Sequence, residues 1–231
     1  MRTGGLLRWG QVAVTSLALA VPWSVQPTAE PAFDARSVAV HIQRTPPQSW
    51  PGYGIYLGDG LVITAAHVAG HAAVTHPSVV LAGRSLPTET VKEGSYSDND
   101  LTVLRVIPPV PPELADRHTT VCNEAFRPGE AVVVATPEEA TRSIVISPEA
   151  LPPQYRTRYA SSIRDVYTTG NSGSGVFDEF DNCLLGIMSS KIEEQQQGTV
   201  DGVPATRTVG LAKHFVPASD IRAFLADVPR R

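Results

Sequence analysis

Thr168-Thr169-Gly170-Asn171-Ser172-Gly173-Ser174-Gly175-Val176-Phe177 places a serine between glycines, with small residues before it and an apolar strand start after it. Glycine lets the backbone turn tightly and leaves neighbouring amide N–H groups uncovered. Acyl transfer needs that arrangement: a hydroxyl projecting from a rigid turn, and N–H groups aimed at one spot to hold an oxyanion. Alone, the stretch is a common kind of turn. Two others give it meaning. Thr64-Ala65-Ala66-His67-Val68 ends an apolar run, and Asp98-Asn99-Asp100-Leu101-Thr102-Val103-Leu104-Arg105-Val106 opens another. Histidine, aspartate and serine follow in that order over about a hundred residues, one of the chain orders in which a Ser-His-Asp triad is built.

The flanking sequence reads as many short strands. Ser37-Val38-Ala39-Val40-His41-Ile42 alternates, with Val38, Val40 and Ile42 on one face. Gly52 to Leu57 and Leu61 to Thr64 flank Gly58-Asp59-Gly60, which has hairpin chemistry. Val79-Val80-Leu81 is a short strand, Ser85 to Ser97 mixes strand and loop, and Leu101 to Ile107 carries the aspartate at its start. Pro108-Pro109-Val110-Pro111-Pro112 cannot pair as a central strand and reads as a linker between two barrels. Beyond it, Ala131 to Ala135 is a strand, and Ser143 to Ile146 pairs with Tyr155 to Ser162. Val176-Phe177 and Cys183 to Met188 form a hairpin around 178–182. Val209-Gly210-Leu211 is a late strand, with His214-Phe215-Val216 just beyond it. Ser219 to Leu225 has helical spacing, with Ile221, Phe224 and Leu225 on one face and Ser219 as N-cap. The expected fold is all-β: two six-stranded antiparallel barrels and a short C-terminal helix. The expected boundaries are 1–29 for a leader, 30–112 for the first barrel, and 113–231 for the second barrel and terminal helix.

Composition agrees. The chain has 231 residues, 42% hydrophobic and 18% charged, enough for a large core and against global disorder. Its formal net charge of −4 and lack of a basic face argue against nucleic-acid binding. Arg2 and Arg8 precede the uncharged apolar run Val12 to Val21, and Ala18-Leu19-Ala20 offers a small-residue cleavage site, with others up to Ala29. This reads as a secretory signal, cleaved between 20 and 29, on a secreted or periplasmic protein. The run is too short and proline-broken for a membrane span, so stable insertion is expected only if the signal stays uncleaved. Export permits a disulfide between Cys122 and Cys183, and two buried thiols are the alternative. His67 and His71 are four apart, but Val68 stands where a zinc peptidase needs glutamate. No metal and no cofactor are expected.

The three stretches resemble the trypsin-like serine peptidases, and look most like the bacterial HtrA/Deg and V8-like (glutamyl endopeptidase) branch. Thr-Ala-Ala-His67 is similar to the family's histidine motif, Asn99-Asp100-Leu101-Thr102-Val103-Leu104 to its aspartate motif, and Gly170-Asn171-Ser172-Gly173-Ser174 to its serine motif. The resemblance runs from about Ser37 to about Leu225 and implies a chymotrypsin-like fold. It implies His67 as general base, Asp100 as its orienting carboxylate and Ser172 as nucleophile. Asp98 and Ser174 are the competitors that the motif passes over. It implies an oxyanion hole from the N–H groups of Gly170 and Ser172. It places Val166 at the floor of the specificity pocket, Met188 where glutamyl endopeptidases carry histidine, and Ser189 and Ser190, with Lys191, on the strand that pairs with the substrate backbone. An apolar floor favours small or medium apolar side chains before the scissile bond. The implied activity is that of an exported serine endopeptidase acting on polypeptides. The alternatives are a catalytically silent or gated peptide-binding protein of the same fold, and a glutamyl endopeptidase whose basic group comes from His214 or Lys191. HtrA proteins usually carry a PDZ module after this domain, and none is expected in this chain.

Overall fold

The computed structural model describes residues 33–48, 52–164, 171–200 and 203–229. The leader, Val166 and Gly170 lie outside the described residues. Twelve strands occur among them. The first six are β1 (Ala39–Thr45), β2 (Gly52–Gly58), β3 (Leu61–Thr64), β4 (His76–Leu81), β5 (Arg84–Glu93) and β6 (Thr102–Val106). They pair in the order β1-β2-β3-β6-β5-β4, and β1 closes on β4. The second six are β7 (Ala131–Ala135), β8 (Ala140–Ile146), β9 (Ser162–Ile163), β10 (Gly175–Asp178), β11 (Leu184–Val200) and β12 (Val203–Pro217). They pair in the order β10-β11-β12-β9-β8-β7, and β10 closes on β7. The same ring order is used twice, in two closed antiparallel barrels.

Strand composition explains the closure. β3 (Leu-Val-Ile-Thr) and β6 (Thr-Val-Leu-Arg-Val) are buried along their whole length, as β-branched runs in the middle of a barrel should be. One apolar cluster crosses from barrel to barrel, joining Ile55, Ile63 and Leu104 to Phe177, Leu184 and Ile187. Each such side chain, fully withdrawn from water, contributes about 1.5–3 kcal/mol. The connecting segment ties the two halves by backbone: Leu184 N–H donates to the Thr120 carbonyl at 2.8 Å, and Cys122 N–H to the Leu184 carbonyl at 3.0 Å. Cys122 and Cys183 form a disulfide with Cα atoms 5.0 Å apart. Closing its loop of 61 positions adds at most about 4 kcal/mol by chain entropy.

Three expectations need correction. Tyr155 to Ser162 is not a strand: Pro148–Ala150 and Pro153–Arg156 form helical turns, and only Ser162–Ile163 pairs. Pro148 and Pro153 open those turns, where a fixed φ and a missing N–H fit the first helical position. The terminal helix spans Ala218–Leu225 and starts after Pro217, so Ser219 lies inside its first turn and its hydroxyl contacts Asp220. Finally, β11 and β12 are far longer than the apolar stretches within them, and continue through the polar run from Glu193 to Gln197.

Candidate active site

The short helical turn Ala66–Ala69 follows β3 and carries His67 at the cleft side of the first barrel. Arg44, reaching over from β1, donates to the His67 carbonyl at 3.2 Å. Asp100 sits at the end of the loop before β6, with φ of 39°, in the left-handed region that aspartate enters more readily than most residues. That turn is pinned on both sides: Asp100 N–H donates to the Ser95 carbonyl at 2.8 Å, and Ala66 N–H to the Asp100 carbonyl at 3.1 Å. Gly94 serves the same loop, because a Cβ there would meet Asn99 Oδ1 at 2.1 Å and the Leu101 carbonyl at 2.6 Å.

The Asp100 carboxylate, 5% exposed, accepts from three donors. His67 Nδ1 lies 2.9 Å from Oδ2 and 3.0 Å from Oδ1, and the His67 backbone N–H is 3.1 Å from Oδ1. Ser189 Oγ donates to Oδ2 at 2.5 Å from the second barrel. With its Nδ1 proton held there, the His67 imidazole keeps a lone pair on Nε2 for a reacting hydroxyl. The His67 side chain is 32% exposed, and Tyr96 packs edge-on at 5.4 Å. Asp98 is exposed, with no such partner among the described residues.

Ser172 is presented by the turn before β10. Gly173 has φ of 83°, and a Cβ there would meet the Tyr53 carbonyl at 2.0 Å, so only glycine fits. Tyr53 N–H donates to the Ser172 carbonyl at 2.9 Å, and Gly173 N–H to the Met188 carbonyl at 2.8 Å. The serine turn is therefore fastened to both barrels. Ser172 is half-buried, and its Oγ donates to the Ser189 carbonyl at 3.3 Å. Among the described residues, no hydrogen bond joins it to His67. Ser174 is fully buried and donates to the Asn171 carbonyl at 2.6 Å, which removes it from the cleft.

The structure brings together His67, Asp100, Ser172 and Ser189. It places Met188, by contrast, in the second barrel's core with Val132, Val134 and Phe215, 2% exposed. Ser190 is half-buried beside a cavity of about 400 Å³ that also meets Tyr96, Tyr159, Ser189 and His214. The hydroxyl of Ser189 is the feature that sequence reasoning missed. Its position beside the substrate strand was legible, but a β-bulge between Met188 and Ser190 sets which way its side chain points.

His214 lies behind this cavity, with Nδ1 2.8 Å from the Ser161 carbonyl and Tyr159 edge-on at 5.3 Å. Burial holds its imidazole below the ordinary histidine range, against the opposing pull of the Ser161 carbonyl and the Asp100 charge. The unfolded chain therefore takes up this proton at a higher pH than the folded one, so stability falls as pH drops through about 6.5. Melting temperatures of the parent and His214→Gln should be measured between pH 5 and 8. We expect the gap between them to narrow on the acid side, and parallel curves would refute this role of His214.

Comparison with known proteins agrees with the geometry. The trypsin-like peptidase domain model matches residues 52–187. No curated protein matches the chain. Among solved structures, the active form of the Rv3671c protease from M. tuberculosis superposes with a TM-score of 0.57 at 18% identity, covering 85% of this chain and 83% of that one. An inactive Ser343Ala form of Rv3671c from M. tuberculosis H37Rv gives 0.55 at 17% identity, covering 84% and 87%. Two closed six-stranded barrels, a histidine and an aspartate from the first, a glycine-flanked serine from the second, and a family match over more than half the chain lead to one assignment: the chain belongs to the trypsin-like serine peptidases.

Proposed function

We propose that the protein is an exported serine endopeptidase working through an acyl-enzyme, with His67, Asp100 and Ser172 as its triad. The observation that carries this reading is the Asp100 carboxylate on His67 Nδ1, next to a serine held on a glycine turn. A change of Ser172 rotamer takes Oγ from the Ser189 carbonyl to His67 Nε2. Oγ then attacks the scissile carbonyl carbon while Nε2 takes its proton, and Asp100 stabilises the imidazolium. The N–H groups of Gly170 and Ser172 receive the oxyanion. As the C–N bond breaks, His67 returns the proton to the leaving amine. Water then gives a proton to His67 and attacks the acyl carbon; the bond to Ser172 Oγ breaks, and His67 returns the proton to Oγ. The proposal needs no cofactor. Export rests on the leader-like residues 1–29, and the disulfide is compatible with an oxidising compartment.

Val166, at the pocket floor by the family resemblance alone, supports a small or medium apolar residue before the scissile bond. One observation supports another reading. The Ser172 hydroxyl resting on the Ser189 carbonyl favours a gated enzyme that turns on when a substrate or partner moves it.

Labelling with a fluorophosphonate probe tests the proposal. The folded protein should be modified covalently and stoichiometrically, and a peptide library then gives the residue preference. A well-folded protein that resists the probe would overturn the active reading and leave the gated one.

A further inference from the structure

Beyond the barrel, β11 and β12 continue as a two-stranded ribbon. β10 accompanies β11 only as far as Ile187, and β9 meets β12 only at Lys213 and His214. From Ser189 to Val200, β11 pairs only with β12 among the described residues. None of the described side chains from Glu193 to Thr199 or Val203 to Gly210 is buried. A two-stranded ribbon that buries nothing is marginal on its own, and a third strand is what it lacks.

Two contacts show which way the free edge points. The Ser189 carbonyl receives Ser172 Oγ at 3.3 Å, and the Glu193 carbonyl receives Tyr155 Oη at 3.4 Å. Both donors lie off β12, so both carbonyls face away from it. The pairing shift beyond Ile192 (Ile192 with Ala212, then Glu193 with Gly210) puts the extra residue, Leu211, in β12. The other shift, between Met188 and Ser190, makes Ser189 itself the extra residue of β11, so from Ser190 onward the alternation of β11 is unbroken, and Lys191, Gln195, Gln197 and Thr199 present their backbone groups on the same side as Glu193. This edge begins beside the candidate nucleophile and has a contour length of roughly 35 Å.

The two edges of the ribbon differ. Pro204 and Arg207 stand on the β12 side, the residues that blunt an edge against pairing. Past Glu194, β11 carries Gln195-Gln196-Gln197-Gly198-Thr199, with neither charge nor proline. On the β11 side, charge is confined to Lys191, Glu193 and Glu194 near the cleft, and the edge beyond them is unguarded.

Ser189 to Lys191 is the strand already expected to pair with the substrate backbone; the geometry points to the ribbon edge beyond it, from Glu193 to Thr199, as an extension of that cradle, which takes residues further upstream in a polypeptide as its third strand. The inference rests on the proposed peptidase reading and adds the substrate class: long, unfolded or extended chains rather than short peptides. In antiparallel pairing, the residue before the scissile bond lies opposite Ser189 and the third opposite Lys191. The fifth lies opposite Glu193 and the seventh opposite Gln195. Tyr155 occupies the place of the fifth residue through one long, exposed hydrogen bond, and an arriving backbone N–H replaces it on the Glu193 carbonyl. Main-chain bonds supply the affinity, so the extension is tolerant of sequence.

The test uses the full chain and peptides with three, five or seven residues before one common scissile bond. Lengthening from three to seven should raise kcat/KM about tenfold or more, since each added backbone bond contributes a factor of about two to ten. N-methylation of the backbone at the fifth or seventh residue should abolish the gain, and at the fourth or sixth should leave it intact. A variant with 195–208 replaced by Asn-Gly should cleave the shortest peptide as the parent does and show no gain with length. A rate flat with length in the parent overturns the cradle, as does a gain indifferent to which residue is methylated. If no peptide is cleaved, the peptidase reading fails. The cradle is then judged by fluorescence-anisotropy binding of the same peptides to Ser172→Ala, where affinity flat with length overturns it. A parent that sediments as a dimer, a truncated form that sediments as a monomer, and no length dependence would assign the edge to a second copy instead.

Discussion

Ser172→Ala is expected to lower kcat/KM on a peptide substrate by about 10⁴- to 10⁶-fold, the loss seen when the nucleophile of this mechanism is removed. Ser174→Ala should leave the rate within about tenfold and cost stability instead, on the order of 1 kcal/mol for a buried hydroxyl's bond. The contrast follows from two hydroxyls two residues apart with different surroundings. Ser172 Oγ is half-buried at the cleft and makes one long bond to the Ser189 carbonyl, which a rotamer change breaks. Ser174 Oγ is sealed from solvent and committed to Asn171. Steady-state kinetics and thermal melts on both variants decide it. A large rate loss in Ser174→Ala with an unchanged melt would mean that the turn presents the other serine.

What could be read from the sequence depended on how local its cause is. Thr64 to His67, Asn99 to Leu104 and Gly170 to Ser174 could be read because each sets a chemically distinctive residue beside its own strand or turn signal within a few positions. Both barrels were legible for the same reason: β3, β6 and β7 are β-branched runs between turn residues. The terminal helix was found from Ile221 and Phe224 on one face, though Pro217 rather than Ser219 precedes it. The contact of Ser189 with Asp100 was not legible, because it crosses between barrels over 89 positions and depends on a bulge. The ribbon was hidden for another reason. Its strands are held by pairing with each other, and glutamine, glutamate and threonine on an exposed hairpin leave no apolar alternation to detect. The stretch from Tyr155 to Ser162 misled because tyrosine favours strands, while the prolines before it favour a helical turn.

Asp100→Asn is expected to lower kcat by about 10³- to 10⁴-fold with little change in KM. All three groups converging on this carboxylate are donors: the His67 backbone N–H, the His67 ring N–H and the Ser189 hydroxyl. An aspartate accepts all three with two oxygens. An asparagine offers one acceptor and turns an NH₂ toward a donor, a conflict relieved when the imidazole takes its other tautomer and brings a proton to Nε2. His67 then cannot accept the Ser172 proton. The backbone does not complicate the comparison, because asparagine adopts the left-handed conformation of residue 100 as readily as aspartate. Ser189→Ala removes one donor and leaves the tautomer alone, so its effect should be near tenfold. It should also be largely absent when added to Asp100→Asn, since both changes act on one hydrogen-bonded unit. Kinetics on the two single variants and the double variant measure that coupling. Full additivity would mean that the Ser189 hydroxyl acts independently of the Asp100 carboxylate, and no effect of Ser189→Ala would mean that Ser189 contributes through its backbone carbonyl alone, as the rest point of Ser172.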